Sequence, residues 1–205
     1  MNLPTHNYGA GESLQGQRMK IPIPMNLDEL RLRHQAGDAF RYLHFWGHRP
    51  RKDGQVSSSC FSQWLEAPFE LGGQRYLTAE HFMMAEKARL FGDEAALARV
   101  LAAANPGAAK AAGRQVQGFD DAVWLEQRFD IVVRANRAKF EQNASMATYL
   151  LQTGDQVLVE ASPVDAIWGI GLAADDERAN DPMQWQGLNL LGFALMQVRS
   201  EMSAT

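Results

Sequence analysis

A single cysteine, Cys60, excludes an intrachain disulfide and any zinc site built on several cysteines. Long apolar runs are missing as well, so no membrane-spanning helix is expected. Residues 1–20 contain no apolar core of the kind a secretory signal needs, and a cytoplasmic protein is therefore the expectation. Excess charge of one sign is also lacking. The net charge of -4 argues against nonspecific binding to a polyanion, which needs a basic field, yet it leaves room for a local phosphate pocket. There is no H-E-x-x-H, no P-loop, no G-x-S-x-G and no dinucleotide glycine fingerprint after a strand. No metal and no cofactor are expected.

What is present is an ordinary globular composition, 46% apolar and 21% charged, in 205 residues, which suffices for one sizeable core and hardly for two. The most informative stretch is Thr78-Ala-Glu-His-Phe-Met-Met-Ala-Glu-Lys-Ala-Arg-Leu-Phe91. It reads as a helix: Thr78 is a good N-cap, Glu80 falls in the first turn where the dipole favours a carboxylate, and Gly92-Asp93 ends it. Glu80 and Lys87 return to nearly the same face, roughly 10 Å apart along the axis. With Met83 and Met84 between them, they form either one wall of a pocket or a dipole partner and a solvated amine.

Along the chain, residues 1–40 are expected to be an N-terminal extension and residues 41–203 the globular domain. Residues 1–24, rich in Gly, Pro, Gln and Asn, are expected to be poorly ordered. Asn26 caps a short helix over residues 27–35, with Leu27, Leu30 and Leu32 turned inward. The aromatic run 41–47 reads as a strand, and residues 60–65 and 69–71 as short strands. Gly72-Gly73 is a hairpin turn leading to a return strand at 75–77. Helices follow over 93–104, closed by Asn105-Pro106-Gly107, then over 108–116. Asp120 or Asp121 caps a long helix through Phe140, with Val123, Trp124, Phe129 (or Leu125), Ile131, Val132, Ala135 and Phe140 at helical spacing. A short helix over 145–152 and a buried strand over 157–160 come next. The chain closes on a helix over 188–202, with Leu191, Leu195, Met196 and Val198 inward. This order, with helices outnumbering strands, predicts a mainly helical α+β domain with a small sheet.

Two further stretches carry candidate chemistry. In Ala161-Ser-Pro-Val-Asp-Ala-Ile-Trp-Gly-Ile-Gly171 a carboxylate (Asp165), an indole (Trp168) and two glycines (Gly169, Gly171) follow a strand. Such a loop can stack a flat ring and hold a hydroxyl or water, or it can be a core Trp with turn glycines. The helical middle carries Lys110, Arg114, Arg134, Arg137 and Lys139, either a phosphate contact or solvated charge. His44 and His48 lie in a strand and loop where their spacing does not align them as metal ligands. His81, on another helix face from Glu80, reads as a packing or hydrogen-bonding residue.

Eight short motifs appear in order. They are Tyr76-Leu-Thr-Ala-Glu-His-Phe82, Ala85-Glu-Lys87, Gly113-Arg114, Ala138-Lys-Phe140, Leu150-Leu-x-Thr-Gly154, Val159-Glu-Ala-Ser-Pro-x-Asp165, Trp168-Gly-x-Gly171 and Asn189-x-x-Gly192. Together they resemble the NADAR family, over about residues 43–199. The resemblance implies an α+β fold and an N-glycosidase. It implies Glu80, Lys87 and Asp165 as catalytic residues, with Trp168, Gly169, Gly171, Arg114 and Asn189 binding substrate. The family's YbiA branch hydrolyses phosphoribosylamino-pyrimidine intermediates of riboflavin synthesis. Other members remove ADP-ribose from guanine in nucleic acid, so a nucleic-acid partner arises only under that alternative; a noncatalytic ADP-ribose or NAD binder is the third class. Gln63 departs from the family's Phe-Ser-Asn-aromatic motif. For such substrates two routes are open: acid–base hydrolysis by Glu80 and Asp165, or sugar-ring opening to an imine with Lys87 as the amine.

Overall fold

The computed structural model describes residues 23–204. The order of elements is α1 (Leu27–Gln35), β1 (Tyr42–Phe45), β2 (Phe69–Leu71), β3 (Gln74–Tyr76), α2 (Ala79–Leu90), α3 (Glu94–Leu101), α4 (Pro106–Gly113), α5 (Asp121–Gln142), α6 (Ala144–Gln152), β4 (Val157–Glu160) and α7 (Leu190–Ser203). Short 3-10 turns occupy Ser58–Phe61 and Glu177–Asn180. The fold is α+β and mainly helical. The expected disorder of residues 1–24 falls almost wholly outside the described residues.

Helix starts follow local chemistry. Asn26, Thr78, Asp93, Asn105 and Asp120 each accept a first-turn amide on the side chain, at α1 through α5 respectively. Pro106 follows its cap at the first helical position, where its missing N–H costs nothing. α2 is buried on almost every side, because α3, α4 and α5 all pack on it. α5 in turn packs on α7, and α7 on β4. α1 docks on this core through Leu27 and Leu30, and Arg31 donates to the carbonyls of Pro182 and Trp185. Leu32, expected inward, is 67% exposed, since α1 has a core on one side only.

The strands form two separate pairs. β2 and β3 make an antiparallel hairpin across Gly72 and Gly73, whose φ values of 62° and 75° suit glycine. β1 and β4 pair in parallel, with Phe45 opposite Glu160. Residues 60–65, expected as a strand, are not one. Phe61, Gln63 and Leu65 alternate inward as in a strand, yet the backbone satisfies itself by turn bonds, Cys60 N to Ser57 O at 2.9 Å and Ser62 N to Ser59 O at 3.1 Å. α5 keeps its inward face at Ile131, Val132, Ala135 and Phe140, whereas Val123 and Leu125 near its start are exposed. The closing helix begins at Leu190 rather than residue 188, because Asn189 is left-handed at φ 53°.

Candidate functional site

A narrow cleft opens where the start of α2, the middle of α4, the end of β4 and the following loop meet. It is lined by Ser62, Gln63, Trp64, Glu80, Lys110, Glu160, Asp165, Trp168 and Leu191. Its volume of about 40 Å³ holds roughly two or three waters. A single reacting bond fits there; a whole sugar and base do not.

Glu80 enters from the first turn of α2, 2% exposed. Its backbone N–H donates to Gln63 O at 3.0 Å, and its carboxyl shares the cleft with the Trp64 side chain. Its Oε1 is buried without a partner. Burial pushes this carboxyl up to about 7, opposed by Lys110 and Trp64 and reinforced by Asp165. Glu160 closes β4, and its Oε2 is likewise buried without a partner. Burial, then Asp165, pushes it up to about 8; Lys110 opposes and Glu80 adds. Two carboxyls that hold protons near neutral pH, each with an unused oxygen, are suited to proton transfer.

Asp165 sits in the turn after β4. Its Oδ1 accepts from the amides of Ile167 (2.9 Å) and Trp168 (2.8 Å), which aims the loop and the indole. Gly169 and Gly171 serve this loop rather than the cleft wall. A Cβ on Gly169 would stand 2.7 Å from Glu160 O, and Gly171 has φ 70°. The close approach they permit is of one backbone to another. Asn189, expected to bind substrate, is fully buried with both ends of its amide occupied: Nδ2 donates to Leu158 O and Oδ1 accepts from Glu160 N, each at 2.9 Å. It anchors the strand that carries Glu160.

Lys87 does not line the cleft. Its Nζ lies 4.0 Å from the Phe119 ring centroid and 5.6 Å from that of Trp124. Between Glu80 and Lys87, α4 crosses α2: a Cβ on Gly113 would lie 2.1 Å from Met84 Sδ, so the two helices touch there and divide the shared face. Burial lowers the Lys87 amine, Asp121 opposes that, and Arg114 adds to it. Arg114, the exposed C-cap of α4, acts electrostatically on both Glu80 and Lys87. The amine on the cleft is Lys110, one helical turn before Arg114, with its Nζ 5.6 Å from the Trp64 ring. His81 is held at both nitrogens, by the Thr78 hydroxyl at 2.8 Å and Ala103 O at 3.1 Å, and burial lowers its pKa, so it is a neutral structural residue. Among the described residues, no group of three or more His, Cys, Asp or Glu could hold a metal ion.

Sequence reasoning gave Glu160 and Trp64 no site role; it read Lys110 as a phosphate contact or a solvated charge and Gln63 only as a departure from the family motif. Glu160 had left one signal, an acid ending the otherwise apolar run Val157-Leu-Val. Lys110 stands four residues before Arg114 on one helix face, a spacing that aligns the two.

The chain has known relatives. Residues 44–203 match the NADAR domain, and the chain belongs to the NADAR family. It is 40% identical over 166 residues to N-glycosidase R617 of Acanthamoeba polyphaga mimivirus, covering 78% of this chain and 96% of that protein. It is 30% identical over 143 residues to N-glycosidase YbiA of Escherichia coli strain K12, covering 70% and 81% respectively. The NMR structure of the E. coli protein YbiA superposes with a TM-score of 0.64 at 26% identity, over 80% of this chain and 86% of that one.

Proposed function

We propose that this protein is an N-glycosidase that hydrolyses the bond between a ribose C1 and the exocyclic nitrogen of a phosphoribosylamino-pyrimidine, an intermediate of riboflavin synthesis. The observation that carries the reading is the pair of buried carboxyls, Glu80 and Glu160, each with an unpartnered oxygen in one cleft beside Asp165 and Lys110. Relatives named N-glycosidases support the reaction class.

In this reading Glu160, the carboxyl held protonated to the higher pH, donates its proton to the leaving nitrogen. The C1–N bond breaks and positive charge develops on the sugar, facing the Asp165 carboxylate. Glu80, poised near neutrality, takes a proton from the water that attacks C1. The products are the free aminopyrimidine and ribose 5-phosphate, with one water consumed. Trp168 stacks the departing base at the rim. Arg114 and Lys87, further out along α4 and α2, meet the phosphate. The same two cations would also suit a longer diphosphate, which favours ADP-ribosyl guanine as the second reading.

A substrate panel tests this. Wild-type protein is offered a phosphoribosylaminopyrimidine, ADP-ribosylated guanosine and NAD, and release of free base is followed. Turnover of the first is expected; release of guanine base alone would shift the function to the second reading. Tight ADP-ribose binding with no base released from any of the three would make the protein a binder. Borohydride added during turnover is expected to trap nothing. A sugar adduct on Lys110 or Lys87 would replace the acid–base route by an imine.

Trp168→Ala is expected to raise KM for the pyrimidine substrate by about 10–100-fold, since a base stacked on an aromatic ring is worth roughly 1–3 kcal/mol. The indole is only partly buried, so thermal unfolding should change little. A large drop in melting temperature with unchanged KM would assign Trp168 to the core instead.

A further inference from the structure

Lys139 belongs to the basic run of α5, yet it is fully buried. Its ammonium donates to the carbonyls of Cys60 at 2.9 Å and Ser62 at 3.3 Å. Among the described residues no carboxylate lies within ion-pair distance of it; the Phe140 ring, 4.8 Å from Nζ, is its cationic contact. Burying an ammonium is expensive when the compensation is two neutral carbonyls and a ring. A leucine or methionine would fill the same space more cheaply, so the placement calls for a use.

The two carbonyls show what the use is. Ser62 immediately precedes Gln63 and Cys60 stands three residues before it, both in the segment 60–64 that lacks a strand partner. Gln63 O accepts the Glu80 amide at 3.0 Å, and the Trp64 side chain lines the cleft beside the Glu80 carboxyl. The Trp64 amide is held by Ser62 Oγ at 3.2 Å. A continuous chain of polar contacts thus runs from α5, through this segment, to the first turn of α2.

We infer that Lys139 is a positioning residue: by clamping the carbonyls of Cys60 and Ser62 it holds Trp64 against the Glu80 carboxyl and so sets the geometry of the cleft. The inference rests on the N-glycosidase reading for its kinetic consequence and on geometry alone for the clamp. Lys139→Met removes the donors while keeping length and bulk. With the phosphoribosylaminopyrimidine as substrate, kcat should fall by about 10–100-fold, as expected for a reacting group shifted by an ångström or less, while KM changes little.

Two readouts separate positioning from mere stability. The groups facing Glu80 are Lys110, Arg114, Trp64, Asp165 and Glu160, and of these only Trp64 belongs to the clamped segment, where its contact holds the Glu80 pKa down. Losing it should therefore move the acid limb of the kcat–pH profile upward. Amide exchange at Glu80 should also accelerate in the substrate-free protein, because its acceptor is Gln63 O. Trp64→Phe should produce the same upward shift, and the double variant should show no further loss. An unmoved acid limb, unaltered exchange at Glu80 and fully additive losses, beside a lowered melting temperature, would make Lys139 structural only. Should Lys139→Met fail to fold, Lys139→Gln, which retains one shorter donor, is read in the same way. The exchange measurement needs no turnover: a wild type that released no base would overturn the substrate reading and leave the clamp to be decided by exchange.

Discussion

Glu160→Gln is expected to lose about 10²–10⁴-fold in kcat on the pyrimidine substrate, the usual contribution of a positioned general acid, while making the fold more stable above neutral pH. The two effects share one cause. The carboxyl is pushed up to about 8 from an ordinary value of 4.5, chiefly by burial. The folded protein therefore binds this proton more tightly than the unfolded chain does. Between about 4.5 and 8 the folded state holds protons that the unfolded state has released, so stability falls as pH rises through that window. Glutamine keeps the shape and does not titrate. It should match wild type near pH 4 and exceed it by ~1–3 kcal/mol above pH 8. Thermal unfolding at the two pH values checks the stability half. The activity half is checked by the pH profile: wild type should peak between about 7 and about 8, the values to which Glu80 and Glu160 are pushed, and the variant should lose its alkaline limb along with its rate. Near-wild-type turnover in Glu160→Gln would move the acid role elsewhere, to Glu80 first.

Asn189→Ala is expected to cost on the order of 3–5 kcal/mol, the largest loss of stability among the substitutions considered for this protein. The side chain stands in for a neighbouring strand along β4, bonded to Leu158 O and Glu160 N at 2.9 Å each. Truncation leaves two buried backbone groups unpaired, each worth about 1–3 kcal/mol. It also places an ordinary residue at φ 53°, where the left-handed conformation costs roughly another 1 kcal/mol. For a domain of this size that is a fall in melting temperature of roughly 10 °C or more. Asn189→Gly keeps the backbone conformation and should recover about 1 kcal/mol of the loss, which separates the strain from the hydrogen bonds. Because Asn189 bonds the backbone amide of Glu160 itself, the surviving folded fraction should also turn over more slowly. A small stability change, equal in Ala and Gly, would mean that water replaces both bonds.

Asn189 also marks where sequence reading stops. Its spacing to Gly192 belonged to the family pattern, and the resemblance placed it among substrate contacts. Nothing local reveals that its amide is consumed by a strand from elsewhere in the chain. Gly192 belongs to the same arrangement: a Cβ there would stand 2.1 Å from Leu158 O. Lys139 and Arg114 are alike to composition, both basic residues of the helical middle, yet one is fully buried and the other exposed.

The sequence by itself determined the starts of α1, α2, α3 and α5, the β2–β3 hairpin and the α+β class. Those features rest on side chains bonding backbone a few residues away, as Thr78 does to His81 N and Asp93 to Ala96 N, or on turn glycines, and such contacts form whatever the rest of the chain does. The eight ordered motifs likewise carried the family. Only the tertiary structure decided that β1 pairs with β4, that segment 60–65 turns instead of extending, and which charges meet at the cleft. Glu80 and Lys87 do share a helix face, as their spacing required. The crossing of α4 at Gly113 and Met84 then separates them, leaving Lys110 beside Glu80 and Lys87 over Phe119. A helical period fixes direction around one axis. What lies in that direction depends on elements far away in sequence, whose packing no local pattern encodes.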